Sequence, residues 1–316
     1  MDSSSRSTAS LGLIGNPTDV NRPTTAGTAL LGGGGDVDAA FRWMINKSGG
    51  GNFVVIRATG TAAYNEYIYN LGSVSSVETL LIDSRTLAED SAVERTILNA
   101  EALFISGGDQ ANYVNFWKGT KVQNAINYLR NIKQVPVGGT SAGCAILGEI
   151  YFSALFDTVT SAQTLVNPYD QRVTLGYRDF LIQPYLNQVV TDSHFTNRDR
   201  HGRMVTFLAR IMKDHNIFPQ GIGLDEATAL CIDSDGIGKV YGSGSAYFFS
   251  PNGVSSTPEV CLPNLPLEWY RNKQAVSVYK VKGTDNGSNY FDLNTWKPHM
   301  AQSPSYYYVK NGRLYT

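Results

Sequence analysis

Several classes of protein are excluded by what this chain has little of. It holds only three cysteines in 316 residues, Cys144, Cys231 and Cys261, and no two are spaced as C-x-x-C. That rules out a zinc ribbon or a disulfide scaffold and leaves room for at most one bridge. Charged residues make up 17% of the chain, and its 26 Lys and Arg are balanced by 27 Asp and Glu and scattered along it. The electrostatic footprint of a nucleic-acid binder is therefore missing, and a small neutral or zwitterionic substrate fits better. There is no run of about 18 apolar residues, so no membrane span is expected. There is no signal peptide with a basic start and an apolar stretch either. The first ten residues are polar and too poor in apolar side chains to pack, so residues 1–25 are expected as a flexible leader standing in place of a removed export signal. Low charge with plentiful Tyr, Asn, Ser, Thr and Gly favours a periplasmic or secreted protein over a cytoplasmic one.

What is present is a regular alternation of apolar runs and amphipathic segments. Strands are expected over 28–35, 52–57, 77–82, 102–106 and 135–138, and helices over 37–47, 62–71, 89–99, 113–117 and 122–132. Continuous apolar strands separated by helices imply an α/β fold, a mostly parallel sheet with helices on both faces, whose sites lie at strand carboxyl ends. A helix is expected over 144–152. Further on, a helix is expected over 202–214 and strands near 223–232 and 238–249, continuing the sheet. Prolines 258, 263 and 266 mark a loop, followed by a β-rich tail. The organisation read from this is an α/β catalytic domain over 26–250 and a β-rich C-terminal extension over 251–316.

Gly139-Thr-Ser-Ala-Gly143 matches Gly-x-Ser-x-Gly between an expected strand and an expected helix, the setting of an exposed nucleophile on a tight turn. The bland alternative is a glycine-rich turn that binds phosphate through its amides, but no lysine follows as a P-loop needs. Cys144, on the expected helix, reads as a small buried hydrophobe.

A serine nucleophile needs a base, and there are four histidines. His194 follows the apolar Val189 and Val190 at another strand end, whereas a solvated side chain accounts for His201 and a helix-end charge partner for His215. Arg198, Arg200 and Arg203 are either a solvated face or a bidentate clamp for substrate carboxylates. The orienting acid is Asp225 or Glu226, adjacent residues whose side chains point to opposite faces of a strand. Backbone amides of Gly108, in the turn 107–110, and of Ala142 form the natural oxyanion pair.

Together Gly107-Gly-Asp-Gln110, Gly138-Gly-Thr-Ser-Ala-Gly143, Asp192-Ser-His-Phe195 with the three arginines, and Gly221-Ile-Gly-Leu-Asp-Glu226 resemble the cyanophycinase family of serine peptidases, over roughly residues 26–249. The resemblance implies a flavodoxin-like or class I glutamine-amidotransferase-like architecture shared with aspartyl dipeptidase. It also implies Ser141 as nucleophile, His194 as base and Glu226 as orienting acid, with Gln110, Asp192, Arg198, Arg200 and Arg203 around the substrate. No cofactor and no metal are implied. The implied partner is a peptide or polymer substrate, cyanophycin or another aspartyl or isoaspartyl peptide; a homodimer is left open. Ser193 stands where the family usually has glutamine, and the extension after Pro251 departs from its compact members. The rival readings are a glutaminase-like amidotransferase using Cys144 and a non-catalytic peptide-binding protein on the same fold.

Overall fold

The computed structural model describes residues 7–253 and 256–316. Its centre is a sheet in which five strands run parallel, in spatial order Ser76–Leu81, Asn52–Arg57, Ala102–Ile105, Pro136–Thr140 and Gly27–Leu31. The helices Asp38–Lys47, Ala63–Leu71, Ser91–Asn99, Gln110–Trp117 and Lys121–Tyr128 connect and cover them. Side-chain parity explains why these strands are apolar throughout. From Asn52–Arg57, Phe53 and Val55 pack with Phe41, Met44 and Ile68 on one face, while Val54 and Ile56 pack with Val93, Ile97, Trp117 and Ile126 on the other. Both faces are buried, so both parities must be apolar.

Antiparallel strands extend this sheet at both edges. Ser10–Gly15 pairs with Ser76–Leu81, placing Ile14 opposite Val77. Part of the leader expected over 1–25 is therefore an edge strand, which needs a single neighbour to satisfy half of its backbone groups. Residues 1–6 of that expectation lie outside the described residues. At the other edge follow Thr228–Asp233, Ile237–Gly242, Tyr290–Asp292 and Lys297–Pro298.

A second sheet has the order Arg313–Tyr315, Ser305–Lys310, Val276–Lys282, Ser245–Pro251, Gln220–Leu224, Val189–Asp192, Ile150–Phe152 and Leu175–Tyr177. One of its faces packs on the first sheet, with Ile222, Leu224 and Phe248 in one core with Leu30, Leu230 and Ile232. Its other face carries the helix His201–His215 through Met204, Phe207, Leu208 and Ile211. The expected β-rich C-terminal region is present, and its strands add to both sheets. No helix among the described residues is long and apolar enough to cross a membrane.

Three local expectations are corrected. The strand read near 238–249 is two strands, Ile237–Gly242 in the first sheet and Ser245–Pro251 in the second. The strand read near 223–232 is two strands, Gln220–Leu224 and Thr228–Asp233, one in each sheet, and Asp225, Glu226 and Ala227 (φ 49°) carry the chain across between them. The helix read over 144–152 is a single turn, Ala142–Ala145, followed by the strand Ile150–Phe152. Gly148 separates them where the backbone passes so close to its neighbour that a Cβ would lie 2.5 Å from the Val189 carbonyl oxygen. Ile150, Tyr151 and Phe152 then pair with Leu175–Tyr177, a role suited to β-branched and aromatic residues.

Candidate active site

Ser141 stands just past the carboxyl end of Pro136–Thr140 with φ 54° and ψ −114°. Such a conformation costs a non-glycine residue about 1–3 kcal/mol and persists where its surroundings enforce it. Here the Ser141 N–H donates to the Leu31 carbonyl at 3.1 Å, and its own carbonyl accepts from Ala145 N–H at 3.0 Å. Gly143 permits the turn, because a Cβ there would lie 2.2 Å from the Ile105 carbonyl oxygen of the next strand. The chain thus turns sharply from strand to helix at Ser141. The helix beyond it is one turn long, so its macrodipole is slight, and the stabilisation expected from a full helix end narrows to single amides.

His194 lies just past Val189–Asp192, its N–H bonded to the Gly32 carbonyl at 2.8 Å. Ser141 Oγ is 2.8 Å from His194 Nε2, and His194 Nδ1 is 2.7 Å from Glu226 Oε1. A carboxylate only accepts, so Nδ1 carries the proton, and Nε2 is free to accept from the serine hydroxyl. Burial lowers the His194 pKa below its ordinary value; Glu226 opposes the shift, and Arg198 and Arg200 add to it. A lowered pKa favours the neutral ring, the form able to accept a proton at Nε2.

Asp225 faces elsewhere. Its carboxylate accepts from the N–H of Thr196 at 3.0 Å and of Ser245 at 3.1 Å, tying the inter-sheet crossing to its neighbours. Glu226 is itself positioned by Asn197, whose side-chain oxygen accepts the Glu226 N–H at 3.2 Å.

The Gly107–Gly108 turn flanks the serine: a Cβ on Gly107 would lie 3.4 Å from Ser141 Cβ. The amides of Gly108 and Ala142 donate to no other protein group among the described residues. Gln110 begins the helix that Asp109 caps, and its amide is 3.5 Å from the Phe152 carbonyl.

Of the three arginines, Arg198 alone lines the cleft over Ser141, together with Asp36, Arg57 and Tyr64. Arg203 and Asp192, each 2% exposed, form a bidentate ion pair at 2.7 and 2.8 Å, and Arg200 donates to the same carboxylate at 3.0 Å. Although burial pushes the Asp192 carboxyl up, the two guanidinium groups hold it below its usual value. Asp192 and Arg203, expected around the substrate, are buried in this ion pair and do not line the cleft over Ser141. Ser193, which stands where the resembled family usually has glutamine, is also buried.

His201, read as solvated, is instead packed among Phe195, Tyr247 and Tyr307, with burial lowering its pKa. Cys144 is fully buried, and burial pushes its thiol well above the usual range, which disfavours the thiolate a cysteine nucleophile needs.

The sequence reading missed the loop Gly32-Gly33-Gly34-Gly35. A Cβ on Gly33 (φ 82°) would lie 2.6 Å from His194 Nε2 and 3.1 Å from Ser141 Cβ. The signal was available, since this is a third glycine turn at a strand end. It was absorbed into the expected strand 28–35, which ends at Leu31. Asp36, Arg57 and Tyr64 carried no motif and meet the site only through the fold.

The fold and the residues at its strand ends define an α/β protein with a serine, a histidine and a glutamate in line at hydrogen-bond distance. The chain belongs to Peptidase family S51, whose model matches residues 49–240. It is 29% identical to a cyanophycinase of Nostoc sp. over 194 residues, 61% of this chain and 59% of that protein. It is 30% identical to a cyanophycinase of Synechococcus elongatus over 196 residues, 61% of this chain and 55% of that one. The chain thus matches less than two thirds of the length of these curated relatives. In fold it is similar to the crystal structure of a peptidase from an acI-B1 Actinobacterium, with a TM-score of 0.50 and 16% identity, covering 78% of this chain and 94% of that one.

Proposed function

We propose that the chain is a serine peptidase that cleaves aspartyl or isoaspartyl peptides, cyanophycin among them, through an acyl-enzyme. The observation that carries this reading is the relay Ser141 Oγ, His194 Nε2, His194 Nδ1, Glu226 Oε1, with links of 2.8 and 2.7 Å. Ser141 Oγ attacks the scissile carbonyl carbon as its proton passes to His194 Nε2. Glu226 stabilises the imidazolium, and the amides of Ala142 and Gly108 face the developing oxyanion. His194 then protonates the leaving amine nitrogen as the C–N bond breaks, leaving the acyl group on Ser141. Water attacks the ester, giving its proton to His194, which returns it to Ser141 as the acid leaves.

The substrate class is supported by the curated relatives, which are cyanophycinases, and by a cleft that offers the guanidinium groups of Arg57 and Arg198 with the carboxylate of Asp36. Charges of both signs suit a peptide that itself carries both. The test is a fluorophosphonate probe followed by mass spectrometry, with a panel of cyanophycin, β-aspartyl and α-aspartyl peptides. Label on Ser141, absent in Ser141→Ala, with turnover of the β-linked substrates, is expected. Turnover that survives in Ser141→Ala overturns the mechanism, and labelling without cleavage of any aspartyl peptide overturns the substrate class. Absence of both label and turnover would instead favour a binding protein.

A further inference from the structure

The peptide between Gly107 and Gly108 has glycine on both sides, so no side chain of its own fixes which way it faces. In a trans peptide the carbonyl and the N–H point to opposite sides, and no peptide bond among the described residues is cis. Here the carbonyl is turned inward. Gly107 O accepts from the Tyr113 hydroxyl at 3.0 Å and from the Ser106 hydroxyl at 3.2 Å, and both of those residues are fully buried. A carbonyl oxygen has two lone pairs, and both are taken. The Gly108 N–H is therefore turned the other way, to the exposed side on which Gly107 lines the cleft over Ser141.

Tyr113 is held where it does this. It lies on Gln110–Trp117, the helix that begins directly after the turn, and helical side chains lean towards the N-terminus, so the phenol reaches back to residues 106 and 107. Its ring stacks on Trp117 with centroids 4.2 Å apart and 14° between the planes, and Trp117 Nε1 donates to the Ile82 carbonyl at 2.8 Å. Burial raises the phenol pKa well above its ordinary value, so the hydroxyl keeps its proton. That one proton is shared between the Gly107 carbonyl and the Ser106 carbonyl, the latter at 2.8 Å, and the Ser106 hydroxyl adds a second donor to Gly107.

We infer that Tyr113 and Ser106 are positioning residues for the oxyanion hole: their hydroxyls hold the Gly107 carbonyl inward and so keep the Gly108 N–H facing the oxygen of the carbonyl that Ser141 attacks. The inference rests on the serine-peptidase reading. Both side chains act through the peptide and neither touches substrate. A flipped peptide would set a carbonyl oxygen where the oxyanion develops, exchanging a stabilising dipole for a repelling one.

The experiment compares Tyr113→Phe, Ser106→Ala and the double variant with the wild type on the best-cleaved aspartyl peptide. Two analogues of that peptide are used: an aldehyde at the scissile carbonyl, which forms a hemiacetal with Ser141, and the matching alcohol, which forms no adduct. Tyr113→Phe should lower kcat by about tenfold and the double variant by about a hundredfold, the lower end of what removal of one oxyanion donor costs. KM and the acid limb of the pH profile should stay in place, because the substrate contacts and His194 are untouched. Aldehyde affinity should fall in step with kcat while alcohol affinity is kept. A crystal structure of the double variant should show the Gly107–Gly108 peptide flipped. Should the double variant fail to fold, the split between aldehyde and alcohol in Tyr113→Phe decides alone. Wild-type kcat and aldehyde affinity in Tyr113→Phe and in the double variant, or equal losses for aldehyde and alcohol, would overturn the positioning role and leave the peptidase reading standing. A wild type that neither cleaves peptide nor takes label on Ser141 would overturn that reading, and the positioning role with it.

Discussion

Gly33 lies so close to His194 that a Cβ built on it would stand 2.6 Å from the Nε2 facing the serine hydroxyl. The backbone there has φ 82°, which disfavours any side chain even where there is room. Gly33→Ala should therefore push the imidazole away from Ser141 and lower kcat/KM by about a hundredfold or more, in the range lost when a catalytic group is misplaced by an ångström. Gly35→Ala is the control for the loop, since the nearest atom to its Cβ would be 3.6 Å away. Steady-state kinetics and thermal midpoints of both variants check this; equal kinetics for Gly33→Ala and the wild type would remove the glycine from the site.

Asp225 and Glu226 should separate function from stability. Glu226→Gln should lower kcat by roughly 10⁴-fold while leaving the melting temperature nearly unchanged, because a neutral amide neither fixes the required tautomer nor stabilises the imidazolium. Asp225→Asn should do the reverse: a lower melting temperature from weakened bonds to Thr196 and Ser245, with residual activity near wild type. Kinetics and calorimetric melting of the two variants, side by side, are the measurement. The opposite pattern would exchange the roles assigned to the two acids.

The arginines should divide in the same manner. Arg203→Met leaves the buried Asp192 carboxylate without its main partner, and breaking such a pair costs about 3–5 kcal/mol. Denaturant unfolding should show that loss. Arg198 lines the cleft, so Arg198→Gln should raise KM for a carboxylate-bearing peptide by about tenfold with little effect on stability. Unchanged stability in Arg203→Met would reopen Asp192 and Arg203 as substrate contacts.

The pH profile should follow His194. Its folded pKa is depressed, chiefly by burial, so the acid limb of kcat/KM should fall below the ordinary histidine value of about 6.5. Arg198 contributes to that depression, and Arg198→Gln should move the limb to higher pH. For stability the sign is the same as for any histidine buried neutral. The unfolded state takes up the proton first, so stability is lost as pH falls from about 6.5 through the folded pKa. A limb that stays in place in Arg198→Gln would show that His194 is not the titrating group.

The parallel core was legible because its physics is local. Phe53 to Ile56 are apolar at every position, and only a strand covered on both faces accounts for that. That Ser141 and His194 would meet was legible too, since Gly-x-Ser-x-Gly sets small residues at fixed spacing at one strand end and His194 follows another. Which of Asp225 and Glu226 lies beside His194 was decided by the crossing between the two sheets. The turn ending in Ala227 aims one carboxylate at His194 and the other at Thr196 and Ser245, and adjacency in sequence cannot rank them.

The tertiary structure likewise decided which arginine lines the cleft and which pair with Asp192, because charge spacing along a chain does not tell a cleft wall from a buried pair. It ended the helix after Ala145, where the backbone of Val189 passes too near Gly148 for any side chain. Periodicity therefore determined the parallel core, and motif spacing picked out Ser141 and His194, which the fold brings to 2.8 Å. The orientation of every group around that pair depended on contacts between segments tens of residues apart, which no local pattern encodes.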